Sequence, residues 1–287
     1  MKETRPIGIF DSGIGGLTVL RQLRKLLPNE QLIYFGDTAR IPYGTKSKKL
    51  IERYAIEDAA FLLQFDVKMI VVACNTASAL AMDVLKKRLP VPVTGVIRPG
   101  ALAAIRHSKK KQTLIMGTSA TVRSGAYMEA IQAQDPDFTV VARDCPLLVP
   151  LVEEGWLDDP VTMMTLHKYL DPVLNAEIDS LILGCTHYPL LAESIRKVTG
   201  PDVHLIDSGY ETAYYVRETL KQLKLEHKGT RPGEDRFYVS DIPQKFADIG
   251  ARFLGEPLAH LKRVDFENFL VEQNDRIEKL LSPKVEQ

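Results

Sequence analysis

The sequence predicts an α/β protein of two similar lobes, each a doubly covered parallel sheet. The lobes are related by approximate two-fold symmetry, with the functional site in the cleft between them. Three observations carry this expectation. Short apolar runs closed by turn chemistry alternate with segments of helical periodicity along the chain. The runs fall into two sets with the same order and similar spacing. Finally, two of them, Ile70-Val71-Val72-Ala73-Cys74-Asn75-Thr76 and Leu181-Ile182-Leu183-Gly184-Cys185-Thr186-His187, end in a cysteine and then turn polar.

The first set of strands is expected at residues 7–10, 32–35, 69–73 and 93–97, the second at 113–116, 139–142, 181–183 and 204–206. Near-continuous apolar runs mark parallel strands buried on both faces. Between them, Leu17-Leu20-Leu23-Leu27 and Ala77-Leu80-Val84-Leu85 repeat at helical spacing. Ile7 corresponds to Thr113, Leu32 to Thr139, Met69 to about Ser180 and Val93 to about Val203. The loops correspond too: Asp11-Ser12-Gly13 with Thr118-Ser119-Ala120, and Cys74-Asn75 with Cys185-Thr186. Further on, a helix over 211–225, a strand over 236–240 and an amphipathic piece over 244–254 return to the first lobe. Residues 1–98 with 208–287 therefore form the first lobe, and 99–207 the second. The charged tail from Asn268 reads as a surface helix or frayed end.

Length and charge narrow the function. At 287 residues the chain favours two lobes over one core. Lys plus Arg and Asp plus Glu each total 37, giving no electrostatic reason for a nucleic-acid or anionic-membrane partner. The basic runs at 46–49 and 109–111 read as solvated helix ends and turns. No apolar leader or bilayer-length apolar run is present, which points to a soluble, cytoplasmic protein. Three cysteines without a C-x-x-C motif fit reduced thiols. No metal site is expected, because the histidines outside position 187 are scattered.

The candidate chemistry lies at the strand ends. Ligands of open α/β sheets bind at the C-terminal ends of the strands. One cysteine there is usually a small apolar residue, but two at matching positions point to a shared site. Helix N-termini beyond Asn75 and Thr186 would favour a thiolate and hold a carboxylate. Asp11-Ser12-Gly13-Ile14-Gly15-Gly16 departs from a dinucleotide fingerprint in spacing, and its leading acid would repel a pyrophosphate. A turn presenting amides to a smaller anion fits better. Pro42-Tyr43-Gly44 reads as a rigid loop that a ligand can approach, and Glu153 can point back toward Cys185. His187 is the histidine next to a candidate thiol, whereas Cys145, before Pro146, reads as structural.

Taken together, Phe10-Asp11-Ser12-Gly13-Ile14-Gly15-Gly16-Leu17, Pro42-Tyr43-Gly44, Ala73-Cys74-Asn75-Thr76-Ala77, Cys145-Pro146, Val149-Pro150 with Glu153, and Gly184-Cys185-Thr186-His187-Tyr188-Pro189 resemble the glutamate racemases. The resemblance spans residues from about 5 to 265 and says nothing about the tail. It implies cofactor-independent racemisation of glutamate, supplying the D-isomer for bacterial peptidoglycan, and a homodimer. By position it makes Cys74 the base for D-glutamate and Cys185 the base for L-glutamate, assisted by Asp11, Glu153 and His187. It also implies substrate contacts from Asp11, Ser12, Pro42, Tyr43, Gly44, Asn75, Thr76, Thr118, Thr121, Thr186 and His187.

Chemistry agrees with that implication. Inverting a carbon means removing a proton from one face and returning one to the other, which two thiols on opposite walls can do. A thiol near its ordinary pKa of about 8.5 needs only a modest downward shift to supply thiolate. A carboxylate beside Cys74 would instead raise that thiol. Three alternatives stay open on sequence alone: an aspartate or hydantoin racemase, a Cys185–His187 hydrolase, and a non-catalytic carboxylate-binding protein.

Overall fold

Strands rich in Ile, Val, Leu and Phe set the architecture, and those over Ile7–Asp11, Leu32–Gly36, Met69–Val72 and Ser180–Gly184 are buried along their whole length. The computed structural model describes residues 3–241 and 246–281. The strands among them are β1 (Ile7–Asp11), β2 (Leu32–Gly36), β3 (Met69–Val72), β4 (Val93–Gly95), β5 (Gln112–Gly117), β6 (Thr139–Asp144), β7 (Ser180–Gly184), β8 (His204–Asp207), β9 (Arg236–Val239) and β10 (Leu261–Arg263). They form two sheets, β10-β9-β2-β1-β3-β4 and β6-β5-β7-β8. Every neighbouring pair is parallel. Within each sheet the first strand of the set lies between the second and the third, so the repeat read from sequence is a repeat of topology.

Both central strands place their C-terminal ends, and hence the loops after Asp11 and Gly117, toward the site. In β1, Ile7 aligns with Leu32 and Met69; in β5, Thr113 aligns with Val140 and Ser180. One apolar cluster runs beneath both sheets, from Ile7, Leu17 and Leu20 to Met116, Leu183 and Val216. The helix Ser208–Leu223 joins it through Ala213, Val216 and Leu220. Its start is fixed by Asp207, whose carboxylate accepts from the amides of Gly209 (2.8 Å) and Tyr210 (3.3 Å).

Three expectations are corrected. The strand expected over 93–97 stops at Gly95, and Ile97 opens the helix Ile97–His107. The amide of Val96 donates to the Ser78 hydroxyl (3.2 Å) instead of continuing the ladder. Second, β10 extends the six-stranded sheet beyond β9; its exposed Lys262 and Arg263 hide an edge strand from pattern reading. Third, the tail is neither frayed nor merely superficial up to Leu281. Helices Phe266–Glu272 and Asn274–Leu281 bury Phe266, Phe269 and Ile277 in the apolar cluster that also holds Phe35 and Phe61. The Phe266 ring lies 4.8 Å from Phe35 and 6.1 Å from Phe61. Of the amphipathic piece expected over 244–254, residues 246–254 form the helix Phe246–Leu254, and 244–245 lie outside the described residues.

No helix among the described residues is long and apolar enough to cross a membrane. Nor do those residues hold a cluster of three or more His, Cys, Asp or Glu suited to a metal ion.

Candidate active site

The first wall is built where β3 ends. Cys74 is the N-cap of the helix Asn75–Leu80, and its carbonyl accepts the Ser78 amide at 2.8 Å. Its buried thiol faces the Ser12 hydroxyl at 3.6 Å, on the loop after β1. Burial pushes the Cys74 thiol up to about 12, and the charge of Asp11 pushes the same way. Cys74 is therefore a thiol at neutral pH. The modest downward shift that would have made it a thiolate does not occur on this wall.

Asp11 ends β1 behind that thiol. Its Oδ2 accepts the Gly13 amide at 3.0 Å, while Oδ1 is buried without a partner among the described residues. Burial raises this carboxyl above its usual range, against hydrogen bonds from the loop amides.

The second wall differs. Past Cys185 the chain makes a 3-10 turn over Tyr188–Leu191, and the α-helix begins only at Ala192. A helix opening directly after Cys185, as at Cys74, is not found. Pro189 has no amide to bond back to the Cys185 carbonyl, so the turn closes through Tyr188 N–H to Cys185 (3.1 Å) and Leu190 N–H to His187 (3.2 Å).

A side chain replaces the helix terminus on this wall. His187 Nδ1 lies 3.8 Å from Cys185 Sγ, and Nε2 lies 3.0 Å from Glu153 Oε1. Burial disfavours the charged imidazole, but hydrogen bonds and charge from Cys185 and Glu153 outweigh it and lift His187 to about 10. At neutral pH the ring is cationic. The edge of His187 packs on Phe253, with ring centroids 5.0 Å apart.

Both thiols open into one cavity of about 510 Å³. Ser12, Pro42, Tyr43, Gly44, Asn75, Thr76, Thr118, Glu153, Thr186 and His187 line it with Cys74 and Cys185. Asp11 and Thr121 do not. Asp11 lies behind Cys74, and the Thr121 hydroxyl is 3.4 Å from Thr76 and 3.0 Å from Thr118, one layer back. Asn75 keeps a buried side-chain amide nitrogen without a partner among the described residues, a donor left for a ligand.

Sequence reading missed the apolar part of the lining, Ile14, Ile41, Phe246 and Ile249. The amphipathic pattern flagged the helix carrying Phe246 and Ile249 but not where its apolar face points. It also missed what supports Tyr43. That hydroxyl bonds Asp37 and Asp58, and Arg40 pairs with Asp37 (2.6 Å), Asp58 (2.9 Å) and Glu57 while lying 4.0 Å over the Tyr54 ring. Cys145 is buried, outside the lining, with its thiol toward the Arg143 carbonyl at 3.6 Å.

The glycines of the first loop have a steric purpose. A Cβ on Gly15 would sit 2.1 Å from Thr186 Oγ1 and 2.6 Å from His187 Nδ1, and one on Gly16 would sit 2.5 Å from Asp11 Cβ. The loop is stripped of side chains so that it can lie against the Cys185 wall.

Known proteins place this arrangement. The model of the Asp/Glu/hydantoin racemase family matches residues 11–214. Glutamate racemase from Geobacter metallireducens is 48% identical over 263 residues, 92% of this chain and 97% of its own. The crystal structure of glutamate racemase from Francisella tularensis in complex with D-glutamate superposes with a TM-score of 0.86 at 41% identity, covering 93% of this chain and 99% of that one. The Thermus thermophilus glutamate racemase in complex with β-chloro-D-alanine gives 0.83 at 45%, covering 92% and 98%. At 20% identity and a TM-score of 0.52, an aspartate racemase from Picrophilus torridus shares the fold. By the span of these matches, the chain belongs to the Asp/Glu/hydantoin racemase family.

Proposed function

We propose that the protein interconverts L- and D-glutamate by cofactor-independent two-base proton transfer, with Cys74 and Cys185 as the bases. The observation that carries this reading is that both thiols, one from each sheet, open into the same cavity. In the L-to-D direction Cys74 is the thiol and Cys185 the base, with cationic His187 beside it. That form is ready for L-glutamate. Cys185 takes the α-proton from one face and Cys74 gives its own proton to the other. D-glutamate results, with the thiolate now on Cys74. The reverse cycle starts from that second form.

The α-proton is weakly acidic, so the site has to stabilise the carboxylate as it gains charge. The Asn75 side-chain nitrogen, which has no partner among the described residues, and the hydroxyls of Ser12, Thr76, Thr118 and Thr186 are suited to this. Glu153 and His187 set the charge on the Cys185 wall. Asp11, with one oxygen that has no partner among the described residues, raises Cys74 and can take up its proton. In this reading residues 1–98 with 208–287 carry the Cys74 wall and 99–207 the Cys185 wall. The protein works in the cytoplasm as a homodimer and supplies D-glutamate for peptidoglycan.

The test is racemisation of glutamate followed by circular dichroism of the substrate, with Cys74→Ala and Cys185→Ala. Each variant is expected to lose racemisation by about 10³-fold or more. Each should retain solvent deuterium exchange for the one enantiomer that its remaining thiol serves. Turnover of aspartate but not glutamate would refute the substrate, and racemisation surviving Cys74→Ala would refute the two bases.

A further inference from the structure

Each thiol wall is tied to the opposite lobe by a buried side chain. Thr18 lies in the helix Leu17–Leu26 that follows β1, yet its hydroxyl reaches the carbonyl of Thr186 at 2.9 Å, next to Cys185. It shares that proton with the Gly15 carbonyl, also at 2.9 Å. Gly15 in turn leaves no room for a side chain against Thr186 and His187. On the other side, Tyr127 lies in the helix Ala126–Gln132, which follows the equivalent strand β5 beyond a short helical turn. Its hydroxyl donates to Asn75 Oδ1 at 2.7 Å, next to Cys74. Thr18 is 1% exposed and Tyr127 2%, so neither bond is exchanged with water. Neither residue lines the cavity.

We propose that Thr18 and Tyr127 are a matched pair of positioning residues, each holding from one lobe the thiol wall of the other. The inference rests on the two-thiol reading of the site and adds to it how the two sulfurs keep their separation. A carbonyl such as that of Thr186 can only accept, so the Thr18 hydroxyl fixes the backbone beside Cys185 in one orientation. Tyr127, by occupying Asn75 Oδ1, turns the other end of that amide, the Nδ2 donor without a partner among the described residues, away from itself. Proton transfer depends steeply on distance, so releasing either tie slows the transfer made by the wall it holds.

The experiment uses Thr18→Val, which keeps the shape and removes the donor, and Tyr127→Phe. Rates and α-deuterium isotope effects are measured in both directions. The two enantiomers have equal free energy, so kcat/KM stays equal in the two directions for any variant, and the isotope effects carry the information. In Thr18→Val the transfer at Cys185 becomes more rate-limiting. Its kcat should fall about 10- to 100-fold, with a larger isotope effect on L-glutamate and a smaller one on D-glutamate. In Tyr127→Phe the shift should run the other way. Thr18→Ser should return both isotope effects to wild-type values, and Thr18→Ala replaces the Val variant if that chain does not fold.

Isotope effects that shift in the same sense in both variants, or that stay at wild-type values, would overturn the proposal. A wild-type protein that fails to racemise glutamate would instead strike the reading of the site, before either variant is made.

Discussion

His187 and Glu153 meet Nε2 to Oε1 at 3.0 Å, and that contact helps keep the imidazole charged beside Cys185. The folded protein holds this proton up to about pH 10, against 6.5 for an ordinary histidine. A raised pKa stabilises the fold fully below the unfolded value and loses that contribution as pH climbs through the folded one. The stabilisation from His187 should therefore be complete near pH 6 and fade toward pH 10. Glu153→Gln removes one of the two groups that raise the ring, so its alkaline loss should start at the same pH but be smaller and finish at lower pH. Urea midpoints across that range test this; coincident curves for the two proteins would contradict it.

Gly15→Ala should disable the site while leaving the fold in place. The new methyl meets Thr186 Oγ1 at 2.1 Å and His187 Nδ1 at 2.6 Å, so the Cys185 wall has to move. Overpacking of this kind costs about 1–3 kcal/mol. Activity is expected to fall by about 100-fold or more, because a displacement near 1 Å is enough to do so. Near-native activity in this variant would mean that the loop does not bear on the wall.

Arg40 compensates a buried group of acids. Asp37, Glu57 and Asp58 all reach its guanidinium, and burial together with the charge of Asp37 pushes the Asp58 carboxyl well above its usual range. Arg40→Met keeps much of the packing on Tyr54 and removes the charge. Leaving such acids unmatched costs about 3–5 kcal/mol. Denaturant unfolding should show that loss, and raised KM should accompany it because Tyr43 rests on the same carboxylates.

The C-terminal helices contribute to stability. Phe266 is 5% exposed and packs on Phe35 at 4.8 Å. Phe266→Ala should cost about 3–5 kcal/mol. Its kcat should stay near the wild-type value, because Phe266 is not part of the cavity lining. A loss below about 1 kcal/mol would mean that the helix Phe266–Glu272 is only loosely seated.

What the sequence made legible follows from how local each signal is. Strand-end cysteines, the glycine loop and the doubled order of strands are written within a few consecutive residues. The cleft that joins Cys74 to Cys185 followed from that doubling. Thr18 and Tyr127 carry no such mark, since their partners lie in the opposite lobe. The Arg40 cluster draws acids from two separate segments and has no spacing to read. For the C-terminal helices a signal existed: Phe266 and Phe269 are one helical turn apart, but the charged residues around them masked it. The turn after Cys185 was also readable, because Pro189 forbids the bond that a helix there requires.

The apolar cluster running unbroken beneath both sheets has a consequence for cutting the molecule. Separating residues 99–207 from the rest of the chain would bare two large greasy faces, each the natural cover of the other. Neither fragment would stay dispersed by itself. Mixed together they should find one another again, and only the reunited pair would bring its two sulfurs to bear on the same carbon.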